Sequence, residues 1–282
     1  MTVSFAFDRR READYARDLA RAFGGALLFS LPLLMTMEMW WFGFILDGVR
    51  LTVFLLLSLP LLAGLAYYAG FSARHRGVGH ALLDTFVALA VGFICAAIVL
   101  GLFAVLEPDA SPRQIVGQLV LQAVAGAMGA LLAGRQLSGE GDAGQGEGEV
   151  GEEDEAAYPG ELFLMVAGAL FLALNMAPTE EMVLIAYRMT AVHVTALVAV
   201  SVLVMHAIVF RVGFAGQEES DRPLTAFVHF TLAGYGLVLL TSLYVLWVFG
   251  RTEGHGLAEI VDAAVVLSFP GAIGAAAARL LV

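Results

Sequence analysis

Acidic residues interrupt two long apolar stretches of the sequence, where a charged side chain is unusual. One stretch contains Glu38, and the other contains the adjacent pair Glu180 and Glu181. A carboxylate in a lipid-spanning segment is costly unless it faces a cavity, a proton path or a partner group. Oxygen-bearing residues flank these acids, and a further acid lies in the last apolar stretch. We therefore predict ion or proton binding by Glu38, Glu181, Glu180, Thr36, Thr179, Asn175 and Asp262.

Pro178 comes just before the second acidic motif and should break the helix there. Proline lacks a backbone N–H and disfavours helical geometry at the preceding residue. Irregular backbone at membrane depth occurs only where it is buried in protein or lines water. The break therefore favours a binding site at Glu180 and Glu181. The alternative is that both glutamates begin a helix near the membrane surface, with Thr179 as the N-cap.

Paired carboxylates in a low-dielectric site favour a proton or a cation as counter-ion, because both cannot ionise cheaply. No basic residue lies within a few residues of Glu38 or Glu181. The surrounding hydroxyl and amide oxygens suit hard cations such as Na⁺, Ca²⁺ or Mg²⁺. Neighbouring methionines leave a thioether site for Cu(I) as an alternative, although methionine more often fills apolar gaps. We expect no cofactor beyond a bound cation, and the identity of a metal stays open.

The composition of the chain indicates that these residues lie in membrane-spanning helices. The chain has 282 residues, of which 60% are hydrophobic, and its mean hydropathy of +0.83 is far above that of a soluble domain. Recurring apolar runs of about twenty residues predict an all-α polytopic protein embedded in a lipid bilayer. We expect about eight spans, near residues 23–46, 51–71, 81–106, 115–134, 161–187, 191–210, 224–249 and 257–281. No nucleic-acid-binding pattern is present, and the single Cys95 excludes an intrachain disulfide.

Short matching segments indicate that the chain is duplicated. An ungapped alignment of the first span of each half places Glu38 on Glu181 and Thr36 on Thr179. In the last span of each half, residues 126–130 match residues 271–275. Such collinear matches predict two four-helix repeats. The predicted divisions are a cytoplasmic N-terminal segment 1–22, a first repeat 23–136, an acidic disordered linker 137–159 and a second repeat 160–282.

An even number of spans in each repeat gives both repeats the same orientation. A pseudo-twofold axis along the membrane normal would then relate them, as in transporters built from parallel repeats. Such an axis could bring Glu38 and Glu181 together. Asp262 lies at a similar depth in the eighth span. We expect it either in the same cavity or at the membrane interface with Glu259.

Arginines that flank the spans predict the orientation in the membrane. The formal charge of −11 arises from 26 acidic and 15 basic residues, and all the basic residues are Arg. Most flanking arginines fall on one side when the N-terminus is placed in the cytoplasm, which agrees with the positive-inside rule. We expect a multi-pass protein of the inner membrane of the cell with both termini cytoplasmic. A homo-oligomer is compatible with the sequence.

The acidic motif carries a family resemblance. The stretch with Asn175, Ala177, Pro178, Thr179, Glu180 and Glu181 resembles the signature of a family of bacterial integral membrane proteins without a characterised activity. That resemblance covers most of the chain and implies a membrane location only. A Pro-Glu pair in a broken helix is also similar to the ion-binding repeats of calcium/cation exchangers. Those repeats are inverted, unlike the parallel arrangement predicted here.

Three functional hypotheses follow. The leading one is a cation or proton channel or an ion-coupled carrier. The second is an intramembrane hydrolase, because Glu180 and Glu181 followed by Arg188 are similar to the motif of eight-span prenyl-protein endopeptidases, with His206 and His229 as base partners. In that family the Arg follows the second Glu by four residues rather than seven. The third is a non-transporting scaffold or sensor. The balance of these observations is against an enzyme.

Overall fold

The protein was analysed as a computed structural model that describes residues 9–69, 78–107, 109–136, 154–211 and 227–280. In these ranges the chain forms helices joined by turns and loops. The α-helices are α1 (Arg9–Leu34), α2 (Met37–Ile45), α3 (Gly48–Ala69), α4 (Val78–Leu102), α5 (Pro112–Gln136), α6 (Asp154–Met176), α7 (Glu180–Arg188), α8 (Ala191–Arg211), α9 (Ala233–Val248) and α10 (Leu257–Leu280). A π-helical segment, Phe227–Leu232, leads directly into α9.

Seven of these helices are long and apolar enough to cross a membrane by themselves, among the residues described. An eighth span results if the bent pair α1 and α2 is counted as one. These helices confirm the predicted all-α polytopic architecture with about eight spans. The apolar residues exposed on them are then explained as contacts with lipid, because lipid replaces water around such helices.

The structure corrects the prediction of one continuous first span from Phe23 to Leu46. The chain bends by 82° between α1 and α2. Pro32 lies in the last turn of α1, and the Thr36 hydroxyl donates to the Pro32 carbonyl at 2.5 Å. Such a bond from a Thr side chain back to the preceding turn is known to bend helices.

Side-chain donors bond to the carbonyls of the last two residues of α1. Trp40 Nε1 donates to the Leu34 carbonyl at 2.7 Å, and Gln122 Nε2 of α5 donates to the Leu33 carbonyl at 3.2 Å. Unpaired backbone groups in a bilayer cost several kcal/mol each, so these bonds make the bend tolerable inside a membrane protein.

Two predicted boundaries can be located. Helix α1 already begins at Arg9, so the predicted N-terminal segment 1–22 and the first span share one helix. Helix α6 begins at Asp154, within the predicted linker 137–159, and residues 137–153 lie outside the described residues.

Helices α5 and α10 occupy the centres of the two halves, α1–α5 and α6–α10. Helix α5 packs on α1, α2, α3 and α4, and α10 packs on α6, α7, α8 and α9. Close approach in both halves depends on glycine. A Cβ on Gly129 of α5 would lie 2.6 Å from the Gly25 carbonyl oxygen of α1, and one on Gly168 of α6 would lie 2.7 Å from the Gly274 carbonyl carbon of α10.

The loop between α9 and α10 joins the second half to the first. Phe249 packs on Phe42 of α2 with ring centroids 4.9 Å apart. Arg50 at the start of α3 forms an ion pair with Glu253 and lies 5.5 Å from the centroid of the Trp247 ring. The loop therefore fixes the end of α9 against α2 and α3.

Candidate functional site

The predicted break at Pro178 is present between α6 and α7. Helix α6 ends at Met176, and α7 begins at Glu180. The Met176 carbonyl accepts both the backbone N–H of Thr179, at 3.1 Å, and its hydroxyl, at 2.9 Å. The Pro178 carbonyl accepts a bond from Arg251 Nη2 at 2.6 Å. Both carbonyls are thus used by the protein itself.

Glu180 and Glu181 lie in the first turn of α7, and both side chains are exposed. This placement matches the alternative in which the two acids begin a helix. Glu180 Oε1 accepts a bond from Arg251 Nη2 at 3.1 Å. Sequence reasoning found no basic partner near this motif, but the loop before α10 supplies one. Glu180 is therefore neutralised by a guanidinium, and this observation removes it from the groups that need a cation.

Glu38 and Asn175 stay separate from that ion pair. Glu38 is half-buried in the first turn of α2 and forms no hydrogen bond or ion pair with the part of the chain that is described. No contact among the described residues joins it to Glu181. Asn175 Nδ2 donates to the Phe171 carbonyl at 2.8 Å, and its Oδ1 is buried without a partner. The predicted meeting of Glu38 and Glu181 on an axis stays a prediction.

Asp262 lines a cavity of about 230 Å³ between α7 and α10. The α7–α10 cavity is lined by Met182, Val183, Ala186, Tyr187, Met189, Arg251, His255, Glu259, Asp262 and Ala263. Asp262 comes five residues after the start of α10, which corresponds to about 8 Å along the helix axis. Of the residues predicted from the sequence, Asp262 is the one that lines this cavity.

Two other polar residues that line the cavity, Glu259 and His255, contact each other. Glu259 Oε2 accepts a bond from the Gly256 N–H at 2.9 Å and contacts His255 Nδ1 at 3.2 Å. A Glu in the first turn that binds the N–H before the helix is half of a capping box, so Glu259 caps α10. Asp262 forms no hydrogen bond or ion pair with the described residues. It is the cavity's unengaged carboxylate.

Metal ligation by clustered side chains has no support in the described ranges. They contain no group of three or more His, Cys, Asp or Glu residues that could hold a metal ion. Ca²⁺ takes six to eight oxygen ligands and Mg²⁺ demands octahedral geometry. Asp262, a single carboxylate without a bonded partner among the described residues, is a poor match for either ion.

His206, one of the two histidines proposed for a hydrolase, lies far from the glutamates. His206 Nδ1 contacts Thr231 Oγ1 at 2.9 Å. The neighbouring Phe230 packs on Tyr158 in the first turns of α6, with centroids 5.2 Å apart. Glu180 follows the opposite end of α6, about 27 Å away along the axis. This arrangement disfavours a glutamate–histidine catalytic site. The side chain of His229 lies outside the described residues.

Sequence reasoning missed Arg251 and His255 and placed Glu259 only at the interface. Arg251 acts across 71 residues on Glu180, and its guanidinium lies 5.2 Å from the centroid of the Phe42 ring in the other half of the molecule. A local pattern cannot reveal such a pairing. The capping role of Glu259 did have a local signal, because a Glu in the first turn of an apolar run predicts an N-terminal cap.

A family model covers residues 18–282, nearly the whole chain, and the chain belongs to the DUF2391 family of integral membrane proteins. That description names a membrane location and no activity. No curated protein and no solved structure matches the sequence.

Proposed function

We propose that this member of the DUF2391 family is a transport protein that moves a small cation or a proton, and that Asp262 in the α7–α10 cavity is its principal binding group. One observation carries the proposal: Asp262 lies inside a candidate membrane span, lines a cavity and has no partner among the described residues. An ionisable residue in such a place marks an ion or proton pathway by default.

The two helix breaks support a transporter. Short helices of nine residues follow the breaks in both halves, α2 in the first and α7 in the second. Interrupted helices at corresponding positions of two repeats point to substrate sites in secondary transporters. We infer from them, and from the matching Gly25–Gly129 and Gly168–Gly274 contacts, that the chain consists of two parallel repeats.

The other residues predicted from the sequence have supporting roles in this proposal. Glu38 and Glu181 are further proton or cation acceptors on the route to the cavity. Glu180 with Arg251 is a closing ion pair beside it. Thr36, Thr179 and Asn175 hold the two helix breaks through their bonds to backbone carbonyls. We place the protein in a bacterial inner membrane with both termini cytoplasmic, on the basis of the arginine distribution.

Ion flux into proteoliposomes tests the proposal. Wild type is compared with Asp262→Asn, with the double variant Glu38→Gln/Glu181→Gln, and with Asp109→Asn as a matched control. Asp109 is exposed in the loop before α5 and has no partner among the described residues. Internal dyes report H⁺, Na⁺, K⁺ and Ca²⁺.

We expect flux of one ion that falls at least about tenfold in Asp262→Asn, because a hydrogen bond to a charged group contributes about 1.5–3 kcal/mol. The Asp109→Asn control should match wild type. If the double variant loses flux as well, Glu38 and Glu181 lie on the same path. Folded wild-type protein that moves none of the four ions would overturn the proposal of ion transport.

A further inference from the structure

The α7–α10 cavity occupies the place at which the first half is closed by a glycine pair. In the first half a Cβ on Gly117 of α5 would lie 3.2 Å from the Gly43 carbonyl carbon of α2, so these two helices touch through their backbones. The repeat alignment places Ala186 on Gly43 and Asp262 on Gly117. Both of these larger residues line the cavity. At the aligned positions of the second half, residues that carry side chains therefore replace the two glycines.

The hydrogen bonds and ion pairs around the cavity leave one carboxylate without a partner. Arg251 pairs with Glu180, and Glu259 is held by the Gly256 N–H and by His255. Asp262 has no partner in the part of the chain that the structure describes. A positively charged ligand would therefore supply the missing partner of Asp262.

The size and walls of the cavity leave room for a ligand larger than a bare ion. Its volume of about 230 Å³ corresponds to roughly seven water molecules at 30 Å³ each. It is somewhat smaller than pockets that hold drug-sized ligands, which begin at about 300 Å³. The walls on the α7 side are apolar and include Met182, Val183 and Met189. Such walls favour a ligand with a small apolar body.

We propose that the α7–α10 cavity binds a small organic monocation, an alkylammonium whose charged head contacts Asp262 and whose carbon chain packs on Met182, Val183 and Met189. This assignment rests on the proposed transport function for its role, but the binding itself does not require transport. The ammonium supplies the hydrogen-bond donors that Asp262 lacks. The apolar chain removes the cavity walls from water.

Isothermal titration calorimetry on the full chain in detergent tests this binding, with n-butylammonium as the probe. The uncharged comparison is n-butanol, and Na⁺ and Mg²⁺ are the inorganic comparisons. We expect saturable binding of n-butylammonium to wild type and to Asp109→Asn. Affinity should fall at least about tenfold in Asp262→Asn. It should also fall in Ala263→Leu, which keeps every charge and fills part of the cavity.

Three results would overturn the assignment. The first is equal affinity of wild type and Asp262→Asn for n-butylammonium. The second is equal affinity of wild type for n-butanol, which would describe an apolar pocket without charge recognition. The third is displacement of n-butylammonium by Na⁺ or Mg²⁺ at the same concentration. If Asp262→Asn fails to fold, the Ala263→Leu titration and the n-butanol comparison still decide.

The binding of n-butylammonium tests this inference, whereas ion flux tests the proposed function, so the two can fail independently. Binding that depends on Asp262, without flux of any cation including n-butylammonium, would support the assignment and contradict transport. Flux of H⁺ or Na⁺ through Asp262, without n-butylammonium binding, would support transport and contradict the assignment.

Discussion

Replacing Gly25 of α1 by Ala probes a close helix contact in the first half. A Cβ at this position would lie 2.5 Å from the Gly129 carbonyl oxygen of α5, whereas ordinary van der Waals contacts begin at 3.4 Å. The obstacle is backbone, which cannot rotate away as a side chain can. The two helices must therefore separate by about 1 Å, and such a gap forfeits a quarter to a half of the dispersion energy at the contact.

The neighbouring Gly24 provides the matched control. A Cβ on Gly24 meets nothing within 4 Å. Ala is favoured over Gly in a helix by about 0.5–1 kcal/mol, so Gly24→Ala should stabilise the protein by up to that amount. Overpacking costs about 1–3 kcal/mol. After the same helix gain is subtracted, Gly25→Ala should destabilise the protein by up to about 2.5 kcal/mol.

Chemical unfolding in detergent, followed by Trp fluorescence, measures both variants against wild type. Gly168→Ala in α6 should behave like Gly25→Ala, because its Cβ would lie 2.6 Å from Ala278 Cβ and close to the Gly274 backbone. If Gly25→Ala proved as stable as Gly24→Ala, the reasoning from backbone contact would be refuted.

Three further predictions concern the helix breaks and the loop before α10, all measured by the same unfolding assay. Arg251→Gln should lower the free energy of unfolding by about 2 kcal/mol, because it removes a bond to the Pro178 carbonyl. Glu180→Gln should lower it by less than about 1 kcal/mol, because the Glu180 side chain is 72% exposed. Equal losses for the two variants would contradict this ranking. Gln122→Leu should change the free energy of unfolding by less than about 1 kcal/mol. The variant loses the bond to the Leu33 carbonyl, but it also removes a buried Oε1 that has no partner. A larger loss of stability would indicate that this oxygen holds a ligand. Gly254→Ala should cost about 1–2 kcal/mol, because Gly254 has φ of +75°; an unchanged midpoint would show that the loop relaxes.

Features set by neighbouring residues could be predicted from the sequence. The membrane spans follow from apolar runs, and the end of α6 follows from Pro178. The first break was missed, although Pro32 and Thr36 stand close together there. One of its hydrogen bonds comes from Gln122, which lies 89 residues beyond its acceptor Leu33 in the chain.

The candidate site was predicted only in part because its geometry depends on long-range contacts. Asp262 was recognised as a polar residue inside an apolar run. The cavity in front of it lies between α7 and α10, two helices that are far apart in the chain. The partner of Glu180 comes from a loop that no periodicity connects to it.

The covering of Phe42 has a consequence for the biogenesis of the protein. Phe249 and Arg251, which pack on this ring, precede only the last helix in the chain. Chains fold from the N-terminus during synthesis. The Phe42 ring of α2 therefore lacks these two contacts until α9 and the loop after it have been synthesised. A ribosome that stops before Phe249 would leave that ring open to any insertion chaperone or quality-control protease that recognises exposed aromatic residues.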